Sequence, residues 1–391
     1  MSTVSSLSVA QIEIPSLETL RRHRGRKWAT HRADVLPAWI ADMDLLPAPV
    51  IRTALRTAIE EGDLGYGPTA ERSGIGEAFA AWALHRWQWK VEPGAVMVMP
   101  DVVSGLWNCI EALTSRGDGV LVQTPIYPPI LDCVANSGRR VVACPIVGDS
   151  LDFAAIEDAI SRSRPRLFIL CNPHNPTGRC FSRAELTTLA ALASDYDLDV
   201  VSDEIHADLV HPGYEHIAFA SLSAQIAART VTLSSASKAF NLAGLRCGVC
   251  VAQSAALRRQ LWSLPAQRWT PFSTLGVRAA LAAWTEPGEA WLTACVEHLS
   301  SMRDHLLGRL AAELPGMRCT PPHASYLAWL DCRELGLSGT PAEFFLERAR
   351  VALSPGSQFG EPGHGFVRLN FATSQDILDR ILDRMMKACH S

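Results

Sequence analysis

Lysine is scarce in this 391-residue chain: only Lys27, Lys90, Lys238 and Lys387 stand among thirty-two arginines. One of the four lies in Ser234-Ser235-Ala236-Ser237-Lys238-Ala239-Phe240-Asn241, directly after the apolar run 231–233. A lysine at the end of a buried strand, ringed by serines, suits a partly desolvated amine that condenses with a carbonyl cofactor as a Schiff base. A solvated loop lysine is the plain alternative. Arg246 follows eight residues later, and with Ser235 and Ser237 it could hold a phosphate. Two further polar clusters precede this one. Cys171-Asn172-Pro173-His174-Asn175-Pro176-Thr177-Gly178-Arg179 follows the apolar run 167–170 and carries turn chemistry. The run 199–202 ends in Asp203-Glu204-Ile205-His206. Ligands of open α/β sheets bind outside the carboxyl ends of the strands. Three polar clusters at three such ends therefore point to one site.

The elements that must position these residues follow from periodicity. Short apolar runs at 96–99, 119–123, 167–170, 199–202 and 231–233 alternate with helical stretches at 50–61, 75–87, 104–113, 183–194 and 289–314. Strands of a parallel sheet read this way, because helices cover both faces. Ser182 ahead of Arg183-Ala184-Glu185 is a capping box, and Asp152 opens a short helix over 151–161. Pro287-Gly288 reads as a breaker ahead of the long helix. Beyond it, strand-like 325–330 and 365–371 flank a helix near 341–350. The expected fold is α/β, with a mostly parallel central sheet, flanking helices and a smaller α+β domain. The expected division is an N-terminal arm with part of the small domain (1–49), a large domain (50–286) and a C-terminal small domain (287–391).

Composition bounds the function. Hydrophobic residues make up 48% and charged residues 19%, enough apolar side chain to exclude disorder as the main state. The net charge of −4 gives no basic excess for nucleic acid, and no apolar run reaches membrane-spanning length. The N-terminus lacks the charged and apolar regions of a signal peptide, so a cytoplasmic location is expected. Eleven scattered cysteines fit buried thiols better than a disulfide framework, and Cys247-Gly248-Val249-Cys250 has no second pair to make a zinc site. The basic run from Arg21 to Lys27 reads as a solvated arm.

Ordered motifs over nearly the whole chain carry a resemblance. They are Trp39-Ile40-Ala41-Asp42-Met43-Asp44, Gly65-Tyr66, Pro173 to Arg179, Ser202 to His206, Gly356-Ser357-Gln358-Phe359-Gly360, and Phe366-Val367-Arg368-Leu369-Asn370. The sequence resembles the fold-type I pyridoxal-phosphate (PLP) enzymes of the aminotransferase class I/II superfamily, within them the cystathionine β-lyase / cysteine-S-conjugate β-lyase subgroup. The resemblance implies pyridoxal 5′-phosphate as cofactor. Lys238 would form the Schiff base and move protons. Asp203 would face the pyridinium nitrogen, Asn175 the phenolic oxygen, and His206 would lie near that oxygen or serve the sheet. Tyr127 would stack on the ring. Val102 and Val103 would offer N–H groups to the phosphate, with Ser235, Ser237 and Arg246 completing the cradle. Tyr66 would reach the neighbouring subunit's phosphate, implying a homodimer with shared sites. Arg368 would grip the substrate carboxylate, with the backbone near Ala41 and Trp39 closing over it. Three departures stand out: Asp101 where the subgroup has glycine, Pro128-Pro129-Ile130 after Tyr127, and an aminotransferase-like Arg246. The implied reaction is β-elimination from an S-substituted cysteine. The alternatives are transamination, or decarboxylation with oxidative deamination of a cysteine conjugate in secondary metabolism. A protein that only holds the cofactor is a fourth reading, and an intact Lys238 argues against it.

Overall fold

Eight strands build the central sheet, in the order Val96–Met99, Gly248–Ala252, Thr230–Ser234, Asp199–Asp203, Leu167–Cys171, Gly119–Thr124, Arg140–Val147, Ser150–Leu151. The computed structural model describes residues 12–148 and 150–390; the first eleven residues of the expected arm lie outside them. The five strands from Thr230–Ser234 to Arg140–Val147 are parallel, while Gly248–Ala252 runs against both its neighbours. Helices connect the successive parallel strands, so both faces are covered and the strands are mostly apolar. The result is the mostly parallel, helix-flanked α/β sheet that the sequence pattern calls for.

Register matters more than strand count here. Cys171 pairs with Asp203, and Asp203 with Leu233. The Asn172 amide donates to the Asp203 carbonyl at 3.0 Å, and the Glu204 amide to the Leu233 carbonyl at 2.9 Å. The three polar clusters are thereby held level along one sheet edge.

A second, three-stranded antiparallel sheet pairs Leu327–Asp331 and Ser354–Pro355 with Phe366–Asn370. Helix Gln375–Cys389 packs against Glu286–Glu313 and Phe345–Ala349 and buries Ile377, Leu378, Ile381, Leu382, Met385 and Met386. That spacing keeps one helical face apolar, and each such side chain contributes up to roughly 2 kcal/mol by burial.

The segment from Leu36 to Leu45 ties the two sheets together. Leu36–Pro37 pairs in parallel with Val351–Ala352. The Asn370 amide donates to Ala38 O at 2.8 Å, and the Asp44 amide to Ala372 O at 2.9 Å.

Two helices begin earlier than their sequence pattern indicates. Val102–Leu113 starts two residues ahead of Ser104, because Asp101 caps it and accepts from the Ser104 amide at 2.9 Å. Glu286–Glu313 starts ahead of Pro287-Gly288, capped by Thr285. Proline is tolerated in a first helical turn, where its missing N–H has no partner to lose. The expected capping box at Ser182 and Glu185 is present. The expected helix near 341–350 is a short turn, Pro341–Phe344, followed by a wider π turn over Phe345–Ala349.

Candidate functional site

Ser234 ends its strand, and Ser235 then caps the short helix Ala236–Ala239 by accepting from the Ser237 amide at 3.0 Å. The tight turn lifts Lys238 over the sheet edge. Its ammonium donates to the Ala41 carbonyl at 2.7 Å. Burial lowers its proton affinity below that of an ordinary lysine; Asp42 and Asp203 oppose this, and Arg368 reinforces it. A lowered proton affinity favours the free amine that a nucleophile or a base requires.

Asp203 ends the adjacent strand. It is 5% exposed and accepts from the Ile205 amide at 3.2 Å. Burial pushes its carboxyl up to about 6, Glu204 adds to this, and the Ile205 amide and Lys238 oppose it. His206 is buried edge-on to Tyr326, with ring centroids 6.3 Å apart. Burial, with Lys238 and Arg368 nearby, lowers its imidazole to about 3, so it is neutral at working pH. Its Nδ1 is buried and has no hydrogen-bond partner among the described residues.

Arg368 reaches in from the small sheet and is 5% exposed. It donates to Asn175 Oδ1 at 2.9 Å, to the Trp39 carbonyl at 3.0 Å and to Ser354 Oγ at 3.2 Å. Its guanidinium lies 5.0 Å from the Phe359 ring centroid. Among the described residues no carboxylate pairs with it, and its Nε has no acceptor. Burial lowers it to about 10, so it stays cationic. A buried cation served only by neutral acceptors is a ready seat for an incoming carboxylate. Gly178 fixes the turn that carries Asn175: its φ is +70°, and a Cβ there would lie 2.4 Å from Pro322 and 2.8 Å from the Ala324 carbonyl.

Tyr127 leads into helix Pro128–Asn136 and feels the charges of Arg368, Asp203, Asp101 and Arg26, while burial raises its hydroxyl above the usual value. The altered Pro128-Pro129 step thus serves as a helix start. Val102 and Val103 open the helix Val102–Leu113, and among the described residues nothing accepts from their N–H groups. The end of a helix with free amides attracts anions. Asp101 stands at that end. It accepts from the Ser104 amide and hydroxyl at 2.9 Å each and pairs with Arg246 at 2.5 Å. The Ser235 hydroxyl donates to the Cys247 carbonyl at 2.7 Å. In this arrangement Arg246 is shared with an internal acid and the Ser235 hydrogen is engaged; Ser237 is half-buried beside them. Tyr66 points away from its own chain and is fully exposed.

A model of the aminotransferase class I and II family matches residues 40–385. The chain belongs to that family. Among its class I and II relatives, it is 41% identical over 406 residues to a Mycobacterium tuberculosis protein provisionally named cystathionine β-lyase, covering 96% of this chain and 98% of that one. It is 37% identical over 359 residues to cystathionine β-lyase PatB of Bacillus subtilis, covering 89% and 92%. A solved PLP-bound C–S lyase from Staphylococcus hominis matches with a TM-score of 0.89 at 28% identity, over 96% of this chain and 98% of that one.

The site has the vacant valences that such a cofactor and an amino acid would fill. Among the described residues Asp203 is a buried carboxylate on which Lys238 is the cation that acts, and so it suits a pyridinium N–H. The two valine amides open the helix Val102–Leu113, where an anion is favoured, and among the described residues His206 Nδ1 and Arg368 Nε lack partners. These residues fit pyridoxal phosphate.

Sequence reasoning missed four residues that hold the site together. The Tyr326 hydroxyl donates to Ala41 O at 2.9 Å, the same carbonyl that holds Lys238. Asn241 donates to the Met43 and Leu45 carbonyls and accepts from the Met43 amide. Asn370 donates to the carbonyls of Ile40 and Asp42 at 2.7 Å each. Lys27 pairs with Asp44 at 2.9 Å, both side chains buried.

Proposed function

We propose that this chain is a pyridoxal-phosphate-dependent carbon–sulfur β-lyase acting on an S-substituted L-cysteine. The overall change is hydrolytic: the amino acid and one water give a free thiol, pyruvate and ammonium. The observation that carries the reading is the convergence of a desolvated Lys238 amine, buried Asp203 and a buried Arg368 with no acidic partner among the described residues, in a chain 37–41% identical to proteins named as cystathionine β-lyases.

Bound pyridoxal phosphate supplies an electron sink that weakens the substrate Cα–H bond. The protein does the rest. Arg368 fixes the α-carboxylate with two parallel donors, and Asn175 and the Trp39 carbonyl hold the guanidinium plane. Lys238, released from the Ala41 carbonyl, takes the Cα proton. Asp203 stays ionised against the ring nitrogen. Tyr127 and Phe359 wall the site from water. The sulfur then departs from Cβ as a thiolate and takes up a proton.

The second protomer of a homodimer would complete the site. Tyr66 is fully exposed, with Trp262 and Leu64 also exposed, and a cleft of about 850 Å³ lies between Tyr66, Trp262, Trp269 and Phe272. Free thiols at ten of the cysteines, Cys319 aside, are in keeping with a reducing, cytoplasmic setting.

Product analysis by mass spectrometry tests the reaction, using holoenzyme with L-cystathionine and a set of S-alkyl cysteines. Pyruvate, ammonia and thiol in equal amounts are expected. A sulfur-containing keto acid, with the cofactor left as the amine, would establish transamination instead; an aldehyde with carbon dioxide would establish the decarboxylative route.

A further inference from the structure

The basic run from Arg21 to Lys27 takes no part in the chemistry above, and the structure divides it. Lys27 turns inward to Asp44. Arg26 remains exposed and lies over the Trp39 indole, 5.5 Å from the ring centroid. Among the described residues no carboxylate pairs with Arg26, although nearly every other arginine near the site has one or is held by backbone carbonyls. The indole N–H of Trp39 is likewise without an acceptor.

Trp39 links this cation to the substrate seat. Its carbonyl holds the Arg368 guanidinium at 3.0 Å and also accepts from the Ser354 hydroxyl, while its ring carries Arg26. Two arginines thus flank one tryptophan. The inner one is buried among neutral acceptors, and the outer one is open to solvent. The Arg26 charge reaches the Tyr127 hydroxyl, where it favours ionisation, so it acts on the site itself and not on bulk solvent alone. His31, edge-on to Trp39 at 5.8 Å, has its proton affinity lowered by burial and adds no competing charge at neutral pH.

We propose that Arg26, seated on Trp39, binds a negatively charged group at the far end of the S-substituent, making the preferred substrate an S-substituted cysteine whose departing thiol is anionic. This rests on the C–S lyase reading. Stacking on an aromatic face holds a guanidinium plane while leaving its N–H edge free for a carboxylate or a similar compact anion.

The test compares two substrates of equal size, S-(2-carboxyethyl)-L-cysteine and its neutral amide S-(2-carbamoylethyl)-L-cysteine. The readouts are pyruvate release by the holoenzyme and the cofactor absorbance change on binding. The native enzyme is expected to favour the carboxylate by about tenfold in kcat/KM, the scale of one charge-assisted hydrogen bond. In Arg26→Gln that ratio should fall to near one, and Arg26→Lys should keep part of it. Equal use of the two substrates by the native enzyme, or an unaltered ratio in Arg26→Gln, would overturn the proposal. A fall in both rates by the same factor would do so as well, because Arg26 would then act only by bracing Trp39. Pyruvate from neither substrate, with both seen to bind, would instead bring down the lyase reading itself.

Discussion

At the scale of single residues, the site works by leaving charges short of partners. Asp203 is the clearest case. Its carboxyl sits near 6 before any cofactor arrives, and only its ionised form can accept from a pyridinium. Cofactor retention should therefore hold above pH 6 and fall as pH drops through about 6. Asp203→Asn should bind weakly and lose that step. Fluorescence titration of the apoenzyme with pyridoxal phosphate across pH 5–8 reads both. Asp101 acts on the other end of the same molecule. It places one negative charge on Arg246 and on the first turn of the helix Val102–Leu113, where a phosphate would otherwise face Arg246 alone. Asparagine keeps the cap and removes the charge, so Asp101→Asn should tighten cofactor binding by about threefold, the modest factor suited to a partly exposed pair. Unchanged or weaker binding would show that Asp101 and phosphate share Arg246 without conflict.

At the scale of elements, the segment Leu36 to Leu45 supplies carbonyls where the site needs them: Trp39 to Arg368 and Ala41 to Lys238. Its backbone is held from both sides by Asn241 and Asn370, and from below by the buried pair of Lys27 and Asp44, which Trp28 joins at 2.7 Å. Removing one charge from such a pair strands the other in a dry setting. Lys27→Met should cost about 3 kcal/mol in urea unfolding, and adding Asp44→Leu should restore much of it. Additive losses would mean that the pair acts through its hydrogen bonds and not its charges. The same segment marks the limit of what the sequence reveals. Lys238, Asp203 and Asn175 are legible because each lies in a local motif at a strand end, and strand ends can be read from apolar runs. Tyr326, Asn241 and Asn370 are not, since they act on residues 285, 198 and 330 positions away, and no periodicity carries that information. Asp101 was half legible. Its type is that of a helix cap, but its capping role stays hidden while the helix is started at Ser104, after the two valines. Arg26 and Lys27 read as one solvated run because the inward turn of Lys27 depends on Asp44.

At the scale of the whole molecule, buried titratable groups set how the fold answers acid. Burial holds His206 and His174 at about 3 and His211 at about 4. The unfolded chain takes up protons near 6.5 that these folded imidazoles refuse, so their contribution is complete above 6.5 and is lost as pH falls. Asp203 and Asp208, raised to about 6, act the other way between about 4 and 6, because the folded form binds protons there that the unfolded form does not. Three imidazoles against two carboxyls leave one net proton. Apoenzyme stability should fall by roughly 1.4 kcal/mol per pH unit from 6 towards 4. Urea midpoints at pH 5 and 6 measure it, and a flat profile would show that burial of the imidazoles is relieved by local opening. With pyridoxal phosphate bound, Asp203 no longer opposes, and the slope should steepen. The strap over residues 36–45 has a consequence in time as well as in space. It is translated 329 and 330 residues ahead of the arginine and the asparagine it docks against. Until then the Trp39 and Ile40 carbonyls lack the side chains that hold them, and a nascent chain bearing Lys238 cannot yet offer that lysine a finished site. Catalytic competence in this protein should therefore appear only once the chain through Asn370 has emerged, and ribosome-stalled fragments ending before Phe366 should add no Schiff-base band to the absorbance of free pyridoxal phosphate however well their central sheet has formed.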